Sequence, residues 1–214
     1  VADKSEIKKM IYYSKKNLNY LSISMQYLYA FYFYFINEKF INKKKVEKIF
    51  FNWSDKKKEK RYGFIKKHDY KVEQIYDIFY HVYSIILILT KIRNFKKICK
   101  ITKFQNTSLL QIEAKKKTFI EIKCSRNDTA RKRIIEILFK NKSRLTINFS
   151  NDEKVICNID KKIIKIPSYL LSKTLKYQLY FFLKQKKLNN KDELNNIKNL
   201  NNFFKYANLI KKNL

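Results

Sequence analysis

The sequence predicts an α+β protein with an aromatic-rich helical N-terminal half and a small mixed sheet with helices in its C-terminal half. The first half contains two long apolar stretches that are rich in aromatic residues. From residue 91 onward, short segments instead alternate between apolar and polar residues, which is the two-residue period of a half-buried strand. With 45% hydrophobic and 16% aromatic residues, the 214-residue chain can bury a sizeable core.

The two apolar stretches of the first half, Leu18–Phe35 and Ile75–Leu89, are predicted to be buried helices. Each could instead be taken for a membrane span, but a bilayer crossing needs about 20 predominantly apolar residues. Polar residues interrupt the first stretch, and Asp77 and His81 interrupt the second. The sequence therefore does not favour membrane insertion. Short membrane-embedded helices in an accessory subunit of an organellar membrane complex are the alternative.

Between these stretches lies a lysine-rich segment, residues 42–68, which is predicted to be a basic linker or loop and contains the lone tryptophan, Trp53. Lysines beside aromatic residues suit an RNA groove, where rings stack on bases and ammonium groups meet phosphates. The alternative is a solvated, charged helix face with Trp53 buried. The candidate RNA contacts in this segment are Lys56, Lys57, Lys58 and Arg61.

A helix capped by Asn127 or Asp128 is predicted to run through Lys140, because apolar residues there fall on one helical face. Its first turn holds three cations, where positive charge opposes the helix dipole unless an anion lies nearby. This turn is therefore a second candidate phosphate contact, and surface cations with their charges in water are the alternative. The candidate cations are Arg131, Lys132 and Arg133, with Arg144 beyond the helix. The strands predicted around this helix are Phe119–Cys124, Leu145–Phe149 and Val155–Ile159.

Two further helices are predicted in the C-terminal region, one after Pro167 and an amphipathic one from about Asp192. A charged linker separates them. The predicted organisation is a helical basic and aromatic region at 1–90, an α+β RNA-binding domain at 91–184, and a charged linker with the amphipathic helix at 185–214.

The chain carries 49 Lys and Arg residues against 18 Asp and Glu residues, a formal net charge of +31. Such self-repulsion disfavours a compact fold unless a polyanion neutralises it, so a nucleic acid is the expected partner. Part of the excess is attributable to codon bias, because Lys, Asn, Ile, Phe and Tyr have A/T-rich codons and the chain has one Gly and one Pro. Organellar and some protist genomes have this bias.

The segment Val155–Leu171, VICNIDKKIIKIPSYLL, has the most specific local pattern. It resembles the end of the RNA-binding domain of the small-subunit ribosomal protein four family, in which an apolar strand leads into V-N-G-x-x-V-x-I-P-S-Y. Residues 159–161 align with V-N-G, and residues 166–169 match I-P-S-Y. The resemblance implies a strand, a tight turn and a short strand stopped by proline, with Lys161 and Lys162 as phosphate contacts. Lys161 replaces the glycine of the pattern, although a turn that requires positive φ penalises a side chain.

The resemblance and the charge together imply a structural constituent of an organellar ribosome, in a mitochondrion or another organelle with an A/T-rich genome. The implied partners are small-subunit ribosomal RNA and neighbouring ribosomal proteins, with no small-molecule substrate. A large-subunit ribosomal protein is an alternative that composition does not separate from a small-subunit one. The sequence begins at Val1 without a methionine, so the localisation is inferred from composition and resemblance.

No set of residues in the sequence predicts catalysis, so the chain is expected not to be an enzyme and to need no cofactor or metal. A single glycine excludes a P-loop or a glycine-rich dinucleotide fingerprint. Cys99, Cys124 and Cys157 are widely spaced, and only His68 and His81 could complete a metal site. The cysteines are predicted to be free thiols that act as small buried hydrophobic residues.

Overall fold

The computed structural model describes residues 9, 12, 13, 16, 26–61, 64–66, 73–114, 117–151, 154–171, 174–185 and 205–212. These residues form a mixed α/β structure around an eight-stranded, mostly antiparallel sheet. Alternate side chains of the central strands are fully buried, so one face of the sheet is covered and forms the hydrophobic core. The predicted mixed sheet with helices is confirmed, but the sheet is larger than the sequence predicted.

The described part of the chain contains ten strands: β1 Val46–Lys56, β2 Glu59–Arg61, β3 Phe64–Lys66, β4 Phe95–Phe104, β5 Thr107–Ala114, β6 Phe119–Asp128, β7 Lys132–Phe139, β8 Arg144–Asn148, β9 Ile156–Ile159 and β10 Lys162–Ile164. Across the sheet they occur in the order β10-β9-β8-β7-β1-β6-β5-β4, and β2 pairs with β3 in a separate hairpin. The central strand β1 runs parallel to β6, whereas the other neighbouring strands of the described sheet are antiparallel.

The described residues also form four helices: α1 Phe31–Ile36, α2 Gln74–Thr90, α3 Thr174–Gln185 and α4, residues 205–212. A 3₁₀ turn, Gln26–Tyr29, precedes α1, and a π-helical turn, Asn37–Ile41, follows it. The longest helix, α2, contacts β5 and β6, and its Phe79 and Val82 side chains are fully buried. The helix predicted for Ile75–Leu89 is confirmed. Within the described residues, the helices are too short or too polar to cross a membrane.

The prediction of a helical N-terminal half is wrong for the lysine-rich segment that follows α1. This segment contains β1, which lies in the middle of the sheet between β7 and β6. Ile49, Phe51 and Trp53 point into the core at alternate positions, and each is at most 4% exposed. The lysines around this alternation make the segment resemble a linker in composition, although its period is that of a strand. The alternative of a buried Trp53 is confirmed, but in a strand.

The helix predicted for residues 127–140 is also wrong, because this segment forms the end of β6 and all of β7. Ile135 and Ile137 of β7 point into the core, whereas Ile134 and Leu138 lie half-buried on the other face of the sheet. Apolar residues on both faces fit a helical period as well as a two-residue period. The three cations predicted for the first helical turn, Arg131, Lys132 and Arg133, therefore lie at the start of β7 or directly before it.

The other predicted elements agree with the structure where it describes them. The strands predicted at 119–124, 145–149 and 155–159 are confirmed as parts of β6, β8 and β9. The helix predicted after Pro167 is confirmed as α3, which follows a 3₁₀ turn at Ser168–Leu170. Residues 18–25 of the first apolar stretch and 186–204 of the linker and terminal helix lie outside the described residues. The division into regions 1–90, 91–184 and 185–214 stays a prediction.

The three cysteines are free thiols, as predicted. Cys124 and Cys157 are fully buried, and burial raises the pKa of each thiol to about 12. The prediction that all three are buried is wrong for Cys99, which is exposed on the edge strand β4. Cys99 is therefore the thiol that a reagent in solution reaches.

The β9–β10 hairpin turns at Asp160 and Lys161, whose φ angles are both positive, 46° and 71°. Two successive residues with positive φ are typical of a type I′ turn, which matches the twist of the flanking strands. The Asp160 carboxylate accepts a hydrogen bond of 2.7 Å from the Arg144 backbone N–H. Lys161 makes no side-chain hydrogen bond within the described residues, and a left-handed conformation costs a residue that has a Cβ about 1 kcal/mol.

Replacing Lys161 with glycine is expected to stabilise the fold by about 0.5–1 kcal/mol, because glycine reaches positive φ without a steric penalty. Lys162→Gly is the matched control, since it removes the same charge from the first position of β10. This control should destabilise the fold by about 0.5–1 kcal/mol. The two variants are compared by their urea unfolding midpoints. If Lys161→Gly lowers the stability as much as Lys162→Gly does, the turn is unstrained and the prediction is wrong.

Candidate functional site

A cluster of polar and aromatic side chains extends from the apolar core to the surface where the ends of β1, β6 and β7 meet the first half of α2. Trp53 of β1 and Arg133 of β7 are partners in the antiparallel register, which places Asp55, two residues after Trp53 on the same face of β1, diagonally beside Arg133. We call this cluster the His81 site. Its members are Trp53 and Asp55 of β1, Asp77 and His81 of α2, and Arg133 of β7.

Asp55 and Arg133 form an ion pair that is almost fully removed from solvent, with side chains 8% and 4% exposed. Arg133 Nη2 donates to the Asp55 carboxylate, and Nη1 donates to the Ser54 carbonyl at 2.6 Å. The guanidinium also lies over the Trp53 ring, 4.2 Å from the ring centroid. Burial lowers the pKa of Arg133, and the Asp55 carboxylate opposes this lowering. Each charge of the pair therefore depends on the other to stay in the core.

The His81 imidazole stacks on Trp53, with ring centroids 5.5 Å apart and an angle of 11° between the planes. Tyr27 packs edge-to-face against the imidazole at 5.2 Å. Burial, the largest cause, and the nearby Arg133 charge lower the pKa of His81 to about 3, while the Asp55 carboxylate opposes this lowering. His81 Nδ1 is buried without a hydrogen-bond partner in the described part of the chain. The imidazole is therefore neutral at physiological pH and keeps one nitrogen available for a hydrogen bond.

Asp77 lies four residues before His81, so both side chains project from the same side of α2. The Asp77 side chain is 58% exposed, and its Oδ2 lies 3.3 Å from Arg126 Nη2. Tyr80 lies beside these residues, and burial together with the Asp77 charge raises the pKa of its hydroxyl. Asp77 therefore forms the side of the site that faces solvent, Tyr80 and His81 lie partly buried behind it, and Asp55 and Arg133 form the floor of the site.

This arrangement can bind and orient a hydroxyl group of a small molecule. A neutral imidazole accepts a hydrogen bond on one nitrogen and donates from the other, and histidine is the side chain that most often transfers protons in enzymes. A pKa near 3 makes His81 a weak base without a ligand, so its first role is to form a hydrogen bond. The described residues contain no group of three or more His, Cys, Asp and Glu side chains that could hold a metal ion.

The predicted RNA contacts lie in two groups at opposite ends of β7. The first group contains residues 56–58 and 131–133, which are close because the Lys57 N–H donates to the Asp128 carbonyl at 3.2 Å. In this group Lys132 Nζ pairs with Asp128 at 3.0 Å, and this interaction, the largest of several causes, lowers the pKa of the Asp128 carboxyl to about 2. Arg133 is buried in the His81 site instead of facing solvent.

The second group contains Arg144, Lys161 and Lys162 around the β9–β10 turn, where all three are exposed. Arg144 Nη1 lies 3.5 Å from a carboxylate oxygen of Glu136 on the neighbouring strand. The remaining candidate, Arg61, contributes its backbone to β2, and its side chain lies outside what the structure describes. The structure therefore does not bring the ten predicted cations together into one surface.

The sequence analysis did not predict the His81 site. Asp55 lies in the segment that was predicted to be a basic linker, and Arg133 was selected for contact with phosphate rather than with a buried carboxylate. One signal was present in the sequence, since Asp77 and His81 are spaced by four residues in an otherwise apolar helix. Two polar residues one helical turn apart on an apolar helix share a face, which indicates a common environment.

No family model and no curated protein matches the sequence. The fold is nevertheless similar to solved structures of oxidoreductases. UDP-N-acetylglucosamine 3-dehydrogenase GnnA from Acidithiobacillus ferrooxidans aligns with a TM-score of 0.71 at 10% identity, over 99% of this chain and 67% of that chain. D-galactose-1-dehydrogenase from Rhizobium etli aligns with a TM-score of 0.63 at 12% identity, over 86% of this chain and 59% of that chain. A variant of KijD10, a 3-ketoreductase from Actinomadura kijaniata, aligns with a TM-score of 0.62 at 8% identity, over 99% of this chain and 66% of that chain.

These similarities correct the interpretation that the sequence favoured. The resemblance to the small-subunit ribosomal protein four family is wrong, because the fold is that of dehydrogenases. The predictions of a ribosomal constituent, of ribosomal RNA and ribosomal proteins as partners, and of a non-enzymatic protein without a small-molecule substrate are contradicted by the same finding. The chain spans about two thirds, or less, of the length of these solved structures, and identities of 8–12% establish the fold alone.

The failure of the resemblance has a physical cause in the matched segment. Residues 155–171 form the edge hairpin β9–β10 and a 3₁₀ turn after Pro167. An apolar strand, a tight turn, a second short strand and a proline form the general pattern of a hairpin at a sheet edge. The pattern therefore identifies a local structure that many folds contain.

The solved structure of the KijD10 variant contains NADP, which raises the question of whether the residues present here fit such a cofactor. A dinucleotide pyrophosphate binds at a glycine-rich turn that opens a helix N-terminus. This chain has one glycine, and Glu73 and Asp77 place negative charge at the N-terminus of α2. These features of the described residues do not fit a dinucleotide.

Proposed function

We propose that this chain is an oxidoreductase component that binds a hydroxyl-bearing small molecule, such as a sugar or a nucleotide-linked sugar, at the His81 site. The observation that carries the proposal is the neutral His81 imidazole, whose buried Nδ1 has no hydrogen-bond partner within the described residues. A buried polar atom without a partner is disfavoured by about 1–3 kcal/mol, and a ligand hydroxyl would remove this penalty.

The fold supports the same proposal. GnnA acts on UDP-N-acetylglucosamine and the Rhizobium etli enzyme on D-galactose, as their names state, and the KijD10 variant holds TDP-benzene. Oxidation of a sugar hydroxyl removes a proton from oxygen and a hydride from the adjacent carbon. An imidazole beside that hydroxyl can hydrogen-bond to it and receive the proton, and the hydride would pass to an acceptor that a separate component binds. The proposal covers the substrate side of the reaction, since the described residues do not fit the dinucleotide. Mitochondrial localisation is a separate proposal that rests on composition.

The test is calorimetric titration of the purified chain with UDP-N-acetylglucosamine, a TDP-linked hexose and D-galactose. We expect at least one of these compounds to bind, and we expect His81→Asn to weaken that binding by about 5–100-fold, the equivalent of one lost hydrogen bond to a buried group.

Tyr76→Phe is the matched control because it removes one hydroxyl from the same helix outside the His81 site. This control should bind the compound as tightly as the unsubstituted chain does. The proposal is refuted if none of the three compounds binds. It is also refuted if His81→Asn and Tyr76→Phe change the binding affinity equally.

A further inference from the structure

A cavity of about 670 Å³ opens at the opposite end of α2 from the His81 site. The loop after α1, the start of β1, the C-terminal end of α2 and the residue after β7 contribute to its walls. His81 and Thr90 are nine residues apart in α2, which corresponds to about 13 Å along the helix axis. The cavity is therefore separate from the His81 site.

Five cationic residues line this cavity, and none of its lining residues is acidic. We call the cavity the basic pocket. Asn42 and Asn94 add polar amide groups to the lining. The five cations are Lys44, Lys45, Lys91, Arg93 and Lys140.

No ion pair compensates these five charges within the described residues. Lys91 Nζ donates to Asn42 Oδ1 at 3.2 Å, and Lys44 Nζ lies 4.7 Å from the Phe139 ring centroid. Neither contact neutralises a charge. Lys142, which is close in sequence to the pocket residue Lys140, in contrast pairs with Glu47 at 3.5 Å.

The helix dipole does not account for the accumulation of positive charge. The C-terminus of α2 forms part of the pocket wall, and Lys91 ends the helix in the left-handed conformation with φ 56°. A helix C-terminus is equivalent to about half a negative charge, which favours one nearby cation. Five cations therefore leave a net charge of about +4.5 around a concave surface, where the field of one sign is concentrated.

We propose that the basic pocket binds a small molecule that carries a diphosphate or triphosphate group. Such a group has several negative charges within a few ångströms, and the Arg93 guanidinium can bind two phosphate oxygens at once. Pockets for small molecules have volumes of about 300–1,000 Å³, so the cavity can hold a molecule of nucleotide size. This site is independent of the proposed sugar-binding function of the His81 site.

The test is calorimetric titration with inorganic pyrophosphate and with uridine diphosphate at about 0.15 M salt, where nonspecific surface attraction is largely screened. We expect saturable binding of both compounds. The triple variant Lys45→Gln/Arg93→Gln/Lys140→Gln should weaken binding by at least about tenfold. If the two compounds bind with equal affinity, the pocket recognises the diphosphate group alone. If uridine diphosphate binds more tightly than pyrophosphate, the pocket also contacts a nucleoside.

The matched control is Lys161→Gln/Lys162→Gln/Lys165→Gln, which removes the same charge from exposed positions outside the pocket. It should leave the affinity for pyrophosphate within about twofold, and His81→Asn should also leave it unchanged. A thermal unfolding transition verifies that the triple variant is folded. If the triple variant does not fold, the single variants Arg93→Gln and Lys140→Gln are used in its place. The proposal is wrong if neither compound binds saturably, or if the control variant weakens binding as much as the pocket variant.

Discussion

Replacing Asp55 with alanine should lower the free energy of unfolding by about 3–5 kcal/mol, because it leaves the Arg133 guanidinium buried without its counter-charge. Arg133 keeps its hydrogen bonds to the Ser54 and Lys132 carbonyls, but these neutral partners do not compensate a full charge in the core. Domains of this kind are stable by about 5–15 kcal/mol in total, so the variant should be close to unfolding. Urea denaturation followed by circular dichroism measures the loss.

The double variant Asp55→Ala/Arg133→Met should recover most of this loss, since replacing both buried charges by apolar groups is often close to neutral. Glu136→Ala is the matched control because it breaks an exposed pair with Arg144 at 3.5 Å. An exposed pair contributes about 0–1 kcal/mol. If Asp55→Ala costs no more than Glu136→Ala, the buried pair does not hold the His81 site together.

Acidification should destabilise the protein through His81. Burial, the largest cause, lowers the pKa of His81 from its ordinary value of 6.5 to about 3. Between these two values the unfolded chain binds a proton at this histidine and the folded chain does not, so stability rises with pH in this window and is lost as the pH falls. The full contribution, reached below about pH 3, is at most about 5 kcal/mol.

The variant His81→Phe isolates this effect, since phenylalanine keeps an aromatic ring on Trp53 and does not titrate. Urea midpoints between pH 7 and pH 4 should fall less steeply for this variant than for the unsubstituted chain. Asp128, whose pKa is lowered to about 2, titrates equally in both proteins and cancels in the comparison. If the urea midpoints of the two proteins fall equally steeply with pH, His81 has its ordinary pKa in the folded protein and the prediction is wrong.

The sequence predicted an element correctly where only one period, either the helical or the two-residue period, fitted its apolar residues. The apolar run of α2 is too long for a strand, and β8 alternates between buried and partly exposed positions. In β1 the same alternation is hidden by lysines, and β7 has apolar residues on both faces, so two periods fit it equally well. The central position of these two strands depends on pairing between residues far apart in the sequence, which a local pattern does not contain.

The candidate site was difficult to predict for a related reason. Lysine is so frequent in this chain that a cluster along the sequence says little about a cluster in space, and the cations of the basic pocket come from three separate segments. Arg133 was selected from the sequence, yet its partner Asp55 lies 78 positions away. Asp77 and His81 are near each other in the sequence, as are Trp53 and Asp55, and the shared helix face of Asp77 and His81 is visible in the pattern without the structure.

The two outer strands of the described sheet disfavour pairing with strands of other chains, in a chain that has 17 Phe and 16 Tyr residues. An uncovered strand edge recruits strands from other chains, and charged side chains, short strands and prolines prevent such recruitment. The edge strand β4 carries four exposed lysines, and the opposite edge strand β10 has three residues and is soon followed by Pro167. Lysine at these positions therefore protects against aggregation into extended sheets. This benefit requires no ligand and can preserve a lysine excess that codon bias first produced.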